Sequence, residues 1–283
     1  MSDDRGLVLE ARGVVAGYGE VLALDDVTIG VPRGDVVAVL GPNGAGKSSL
    51  LSVLAGDLEP TQGSVQHEGR DITAVPAWRR ARSGICSIPE GSGIFNELSV
   101  EENLRLEVSV VGLGGRDLAD VYDLFPRLAE RRTQLAGSMS GGEKQMLALS
   151  RAIATEPDVL LVDEPSLGLA PVIVDSVFEV LARLHSEKRL SIVIVEQYVE
   201  RALELANWVV VLQKGRVRLA TARADLPEGG ELAAAYLGGV GADSGEGVEI
   251  ERDAGTDAAD GDAAAKATRR RRQPLRAAGG RGR

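Results

Sequence analysis

Residues 36–56, VVAVLGPNGAGKSSLLSVLAG, constrain the fold of this chain more than any other feature. The first five residues are apolar and predict a buried strand, and the residues after the glycine-rich loop predict a helix. The loop matches G-x-x-x-x-G-K-[ST], whose glycines let backbone N–H groups point inward around phosphate oxygens. A chance glycine turn is the alternative, but the flanking strand and helix favour a phosphate-binding loop.

The start of this helix supplies the charged and polar groups that a phosphate chain needs. Lys47 can reach the outer phosphates, the Ser48 hydroxyl can bind Mg²⁺, and the helix N-terminus adds partial positive charge. The residues predicted to bind the nucleotide are Gly41, Pro42, Asn43, Gly44, Ala45, Gly46, Lys47, Ser48 and Ser49.

Strand-length apolar segments alternate with helical segments along the chain. The further predicted strands are 85–88, 159–162, 191–195 and 209–212, and several are continuously apolar, as in strands buried on both faces. The clearest helix begins at Pro171 and ends near Glu187. This alternation predicts an α/β fold with a mostly parallel core sheet.

Two regions depart from the alternation. Residues 7–31 and 64–72 look like paired strands joined by turns, which predicts a smaller antiparallel β layer. Residues 99–154 are mostly helical, and Ser99 with Glu102 has the pattern of a capping box. We expect a helical subdomain, about residues 91–154, inserted between two core strands.

A second buried strand, in DVLLVDEPS, ends in two acidic residues. Unpaired charges at the end of a buried strand are energetically costly, which indicates that they have a function. Asp163 can hold the Mg²⁺ shell, and Glu164 can orient an attacking water and accept its proton. A surface acid pair is the alternative, but the phosphate loop in the same chain favours catalysis.

The segment SMSGGEKQ places two glycines at the start of another predicted helix. Ser140 can cap that helix, and its first turn, with Gly141 and Gly142, is also an anion site. An ordinary capped helix is the alternative on residue pattern alone.

Residues 7–238 resemble the ATP-binding subunit of ABC transporters, a P-loop NTPase fold. The order and spacing of four features match: Tyr18 before the core, the loop at 41–48, the signature at 139–145, and LLVDEPSLGLAP at 160–171. The resemblance implies ATP hydrolysis with ATP and Mg²⁺.

The resemblance also implies a role for the second glycine-containing segment, the signature at 139–145. Two such domains pair head to tail, and the signature of one closes over the nucleotide held by the other. Ser140, Gly141, Gly142 and Glu143 would therefore contact the partner's ATP. Tyr18 would stack on adenine, although a core or turn aromatic is the alternative. Residues 166–169 would cross between the paired domains.

Besides Met139, which stands where the signature usually has Leu, three positions depart from the usual family pattern. Glu143 stands where the signature usually has Gln, Glu90 stands where most members have Gln, and Gln197 stands where most have His. Glu90 can still contact Mg²⁺ or its water, and Gln197 can hydrogen-bond a γ-phosphate without carrying charge. The segments PEG, SVEENL, DEPSLGLAP and VEQ together resemble the smaller ATP-binding subunit of branched-chain amino acid, amide or urea importers.

This branch implies an ATPase that works with other subunits. Its partners would be a second ABC ATPase subunit, in a homo- or heterodimer, polytopic permease subunits and, indirectly, a solute-binding protein. Residues 90–103 would carry motion to the permease. No apolar run is long enough for a membrane helix, so we expect a cytoplasmic protein, peripheral on the inner face of the cell membrane. The alternative is a soluble ABC ATPase of cluster assembly, translation or DNA repair.

Net charge and cysteine content bear on the kind of binding partner and on disulfide formation. The formal net charge of −10 argues against a general nucleic-acid binder, and the single cysteine, Cys86, allows no disulfide within the chain. We expect Cys86 in the core and the two histidines, His67 and His185, on the surface.

The composition changes near the C-terminus. The ATP-binding domain is predicted over residues 1–239, followed by an acidic, then basic tail at 240–283 that lacks aromatics and should be disordered. RRRR at 269–272 could bind anionic lipid or RNA, or be a solvated tail.

Overall fold

The computed structural model of the chain describes residues 6–226. The predicted domain boundary at residue 239 and the charged tail 240–283, with its RRRR segment, lie outside the described residues. Within residues 6–226, no helix is long and apolar enough to cross a membrane.

The core sheet forms from the continuously apolar segments and is mostly parallel, as predicted. Its strands, in chain order, are β3 (Val36–Leu40), β6 (Ile85–Ile88), β7 (Val159–Asp163), β8 (Ser191–Val195), β9 (Trp208–Gln213) and β10 (Arg216–Ala222). The spatial order is β10-β9-β3-β8-β7-β6, and only the β9–β10 pair is antiparallel. The strand β3 therefore lies in the middle of the sheet, between β9 and β8.

The middle strand shows why these segments must be continuously apolar. Val36, Ala38 and Leu40 contribute to one buried cluster, and Val37 and Val39 contribute to a second. The period of two along a strand sends alternate side chains to opposite faces, and both faces are covered.

The antiparallel layer is also present. Its strands are β1 (Leu7–Tyr18), β2 (Val21–Pro32), β4 (Gln62–His67) and β5 (Arg70–Asp71), in the order β2-β1-β4-β5. The prediction that His67 is a surface residue is wrong, because the ring is only 7% exposed. His67 pairs with Leu9 on the neighbouring strand, and it shares the buried face of β4 with Val65 two residues earlier.

Eight α-helices surround the sheets within residues 6–226. They are α1 (Lys47–Ala55), α2 (Ala77–Arg82), α3 (Val100–Val110), α4 (Ala119–Leu124), α5 (Pro126–Glu130), α6 (Gly141–Ala154), α7 (Pro171–Lys188) and α8 (Val199–Leu205). The four helices from α3 to α6 follow β6 and precede β7, two strands that are neighbours in the sheet. The predicted capping box at the start of α3 is present, with Ser99 and Glu102 bonded reciprocally.

Cys86 on β6 is buried, as predicted, and burial raises its pKa to about 12. Because only the thiolate is a good nucleophile, we expect native protein at pH 8 to react with a maleimide far more slowly than a free thiol. In denaturant the same thiol should react at the ordinary rate. Rapid stoichiometric labelling of the native chain, followed by mass spectrometry, would show that Cys86 is accessible.

Candidate functional site

The phosphate loop joins the carboxyl end of β3 to α1 and needs glycine at two positions. Gly41 has φ +152°, and a Cβ there would lie 2.2 Å from the Leu212 carbonyl oxygen. Gly46, with φ +102°, would bring a Cβ to 2.6 Å from the Ala23 carbonyl oxygen. Since no L side chain fits such contacts, these glycines fix the shape of the loop.

Lys47 at the start of α1 is 5% exposed and lies folded over its own loop. Its Nζ donates hydrogen bonds to the carbonyl oxygens of Gly41, at 3.0 Å, and Pro42, at 3.3 Å. The Lys47 ammonium is therefore held inside the loop, in the position where an anion would bind.

Asp163, the last residue of β7, is buried at 8% exposure, and its Oδ1 has no hydrogen-bond partner among the described residues. Burial raises the pKa of Asp163, and the charges of Glu164 and Glu90 add to the rise, whereas a hydrogen bond with the Ser48 side chain opposes it. An orphaned carboxylate oxygen beside a serine hydroxyl and further acids provides the oxygen ligands that Mg²⁺ prefers.

These acids do not make a complete metal site without further ligands. No group of three or more His, Cys, Asp or Glu side chains in residues 6–226 is arranged to hold a metal ion. A Mg²⁺ ion in such sites usually takes one or two carboxylates and completes its shell with water and substrate phosphates. The donor set fits magnesium bound together with a nucleotide.

Glu164 follows Asp163 in a left-handed backbone conformation, with φ 43°. Its N–H donates to the Val195 carbonyl oxygen at 2.9 Å, which ties the end of β7 to the end of β8. The carboxylate lies between two groups: Oε1 is 3.9 Å from Lys47 Nζ, and Oε2 accepts a 2.6 Å hydrogen bond from Gln197 Nε2. Non-glycine residues with positive φ are uncommon in proteins, and they cluster at functional sites.

A cavity of about 330 Å³ brings half of the predicted site residues together, and Asp163 lies outside its lining. It is lined by Asn43, Gly44, Gly46, Lys47, Ser48, Ser49, Glu90, Glu164, Leu167 and Gln197. Ligands of open α/β sheets bind outside the carboxyl ends of the strands, and this cavity lies there. A larger cleft of about 730 Å³ lies at the amino ends of β3, β7 and β8, and none of the predicted site residues line it.

The signature segment does not line this cavity. Ser140 caps α6, and its Oγ accepts from the Glu143 N–H while Glu143 Oε2 accepts from the Ser140 N–H. These bonds lower the pKa of Glu143. A Cβ on Gly141 would meet Leu169 at 3.4 Å, so the segment lies beside the 166–169 loop of its own chain. Gly141 itself is exposed.

Tyr18 is also outside the cavity lining. It ends β1 and is 56% exposed. The following strand, β2, approaches the phosphate loop at Ala23, as the contact with Gly46 shows. The tyrosine therefore stands at the tip of a hairpin whose second strand touches the loop.

One residue of this region was missed from the sequence, and another was predicted in a different role. Leu167, predicted as part of the loop that crosses between paired domains, lines the cavity. Glu196, which immediately precedes Gln197, is fully buried. An acidic residue at the end of an apolar run was the available signal for Glu196, as it was for Glu164.

Comparison with known proteins gives consistent matches. Residues 24–167 match the family model described as ABC transporter. The high-affinity branched-chain amino acid transport ATP-binding protein BraG of Pseudomonas aeruginosa is 42% identical over 78% of this chain and 96% of its own length. The probable branched-chain amino acid transport ATP-binding protein LivF of Archaeoglobus fulgidus is 38% identical over 71% of this chain and 86% of its own.

Solved structures show the same fold. An ABC transporter ATP-binding cassette in its ADP conformation superposes with a TM-score of 0.71 at 25% identity, covering 83% of this chain and all of the cassette. An ATP-binding subunit of an ABC transporter gives a TM-score of 0.67 at 31% identity, covering 76% of this chain and 90% of that one.

Proposed function

Because this chain belongs to the ABC transporter family, as an ATP-hydrolysing ATP-binding subunit, we propose that it powers import of branched-chain amino acids through a separate membrane permease. ABC ATP-binding subunits of importers dimerise and pair with permease subunits. The ATPase site rests on one observation, the convergence of Lys47, Ser48, Asp163 and Glu164 at the carboxyl ends of β3 and β7. The solute class rests on the two relatives named for branched-chain amino acid transport.

We propose that nucleotide binding redistributes the contacts of Lys47. Its ammonium now contacts two loop carbonyls and lies 3.9 Å from Glu164. The oxygens of a terminal phosphate carry more charge than carbonyls and would attract Lys47 more strongly. Glu164 Oε1 would then be free to accept a proton from water, while Gln197 holds Oε2.

Magnesium would be held by the Ser48 hydroxyl and by Asp163, with Glu90 at the edge of its shell. When bound, Mg²⁺ supplies neutralisation of the charge that develops on the phosphate oxygens. The unpartnered Oδ1 of Asp163 and the raised pKa of this buried acid both support a cation there.

The remaining predicted residues act around this centre. Tyr18 would stack on the adenine ring. Ser140, Gly141, Gly142 and Glu143 would serve the nucleotide of the partner subunit, since they are absent from the lining of their own cavity. The chain would then work at the inner face of the cell membrane. The comparisons give no support to the alternative of a non-transport ATPase.

The transport function is tested by uptake of labelled leucine, isoleucine and valine in cells that lack this chain. Restoring the wild-type chain should restore uptake, and Glu164→Gln should not. Co-purification of a polytopic membrane protein with the tagged chain is the companion measurement. Equal uptake in cells with and without the chain, while the purified chain hydrolyses ATP, would refute this solute class.

Lys47→Ala should weaken ATP binding by about 10- to 100-fold, because a charged hydrogen-bond donor contributes roughly 1.5–3 kcal/mol. The measurement is the equilibrium Kd of purified protein. Lys188→Ala is the matched control, because it removes the same charge from an exposed position at the far end of α7 and should leave the Kd unchanged. Equal affinity in Lys47→Ala and wild type would refute the phosphate contact.

Gln197→His should add an ionisation to the pH profile of kcat. The imidazole would lie beside the Glu164 carboxylate, so its pKa should be raised above the ordinary value of about 6.5. The charged form, present below that pKa, is the one the carboxylate stabilises. We expect the kcat of the variant to diverge from that of wild type as pH rises through about 6.5–8. Superimposable kcat profiles would place position 197 away from the reacting groups.

A further inference from the structure

Glu196 is a fully buried carboxylate that the proposed chemistry does not use, and its neighbour Gln197 lines the nucleotide cavity. Glu196 follows β8 and has 0% exposure. No salt bridge in the described part of the chain involves it. Since burial of a charge is costly unless the charge is well hydrogen-bonded, the structure must supply other partners.

Those partners are three backbone N–H groups from two loops. Oε1 accepts from the Ser166 N–H at 3.1 Å. Oε2 accepts from the N–H groups of Gln197, at 2.7 Å, and Tyr198, at 3.1 Å. Ser166 belongs to the loop after β7, and the other two belong to the loop after β8. One side chain therefore joins two adjacent loops.

Each of these loops carries a residue that faces the reacting centre. Gln197 donates to Glu164, and Leu167, next to Ser166, lines the nucleotide cavity. A second cavity, of about 300 Å³, is shared by the same loops and is lined by Glu164, Ser166, Leu167, Glu196 and Gln197, among others. A displacement of either loop would therefore move groups around Glu164.

We propose that Glu196 is a positioning residue for hydrolysis: it holds Gln197 against Glu164 and fixes the 166–169 loop in the same register. The inference rests on the proposed ATPase function. A carboxylate is required because all three donors point at its oxygens. A glutamine amide has only one oxygen, so whichever way it turns, its NH₂ group faces an N–H donor.

The test uses the full chain with Glu196→Gln and measures kcat, the Kd for ATP and the melting temperature. We expect kcat to fall at least about tenfold, since small displacements of reacting groups are costly. The Kd should stay near the wild-type value, because the residues that hold phosphate are elsewhere. A purely structural role would lower the melting temperature without this separation of kcat from Kd.

Asp35→Asn is the matched control. Asp35 is also a buried carboxylate, at 1% exposure, and it accepts the Trp208 indole N–H at the amino end of β9. It should lose thermal stability and keep wild-type kcat when assayed well below its melting temperature. A kcat loss in Asp35→Asn as large as that in Glu196→Gln would overturn the proposal.

Glu196→Asp provides a second variant that keeps the charge. Its shorter side chain can still accept from the neighbouring Gln197 and Tyr198 but reaches less far toward Ser166. We expect a kcat between those of Glu196→Gln and wild type. Wild-type kcat in both Glu196 variants would overturn the positioning role alone, whereas a wild-type chain without ATPase activity would overturn the proposed function as well.

Discussion

Glu164→Gln is expected to lower kcat by about 10²–10⁴-fold, the usual contribution of a general base, while ATP remains bound. The amide has the shape of the acid, and its oxygen can still accept from Gln197, but it cannot take a proton from water. The variant also loses the negative charge 3.9 Å from Lys47. Lys47 is then freer to contact phosphate, so ATP affinity should stay the same or rise.

Single-turnover hydrolysis of radiolabelled ATP, beside retention of the label on the protein, measures both effects. Glu179→Gln is the control, because Glu179 is exposed in α7 and away from the cavity lining. It should hydrolyse ATP normally. Turnover by Glu164→Gln at the wild-type rate would remove Glu164 from the role of general base.

Much of the fold could be predicted because its determinants are local. The strand β3 spans Val36–Leu40, as the apolar run indicated, and α7 begins at Pro171 as predicted. Strands covered on both faces must be apolar throughout, so their ends are visible in the sequence. The phosphate loop is visible in the sequence because its motif is confined to residues 41–48, although the contacts that require Gly41 and Gly46 come from Leu212 and Ala23 on other strands.

The burial of His67 could not be predicted from the local sequence. The pattern around HEGRD predicts a turn between paired strands, where an exposed ring is expected. The ring lies on the buried face of β4 together with Val65, and its Nε2 is unpartnered among the described residues. Burial lowers the pKa of His67. Which face of β4 is buried depends on packing against distant segments of the chain, as for Val65 on the same face, and no local pattern shows it.

The contacts of the site could not be predicted for the same reason. The hydrogen bond between Gln197 and Glu164, and the bond between Glu196 and the Ser166 N–H, join segments about thirty residues apart. They form because β8 lies between β3 and β7 in the sheet. Strand order is a property of the whole fold. The sequence alone therefore does not indicate which groups at the strand ends lie within hydrogen-bond distance of one another.

The second large effect concerns the signature segment. Gly141→Asp should abolish ATP-driven pairing of chains, because it places a carboxylate where the partner's γ-phosphate would bind. Two like charges about 4 Å apart in a protein-surface environment repel by roughly 4 kcal/mol, about a thousandfold in an equilibrium constant. Pairing should be measured by sedimentation in a Glu164→Gln background, alone and with a companion ATPase subunit.

Gly141 is the correct position for this change. A Cβ there meets only Leu169, at 3.4 Å, whereas a Cβ on Gly142 would lie 2.5 Å from Ile173 Cγ2 and disturb the chain's own packing. An acidic residue in the first turn of α6 also suits the helix dipole. Gly141→Asn has the same shape without the charge and should pair far better than Gly141→Asp. Equal pairing by the two variants would show that charge is not the cause.

The most direct test of the central account is the ATP affinity of a dilute single chain carrying Gly141→Asp. If the loop at 41–48 binds the chain's own nucleotide and the signature serves a partner, this variant should bind ATP as wild type does, while Lys47→Ala binds weakly. Loss of binding in Gly141→Asp as complete as in Lys47→Ala would contradict the account, because both glycine sites would then hold the same phosphate within one chain.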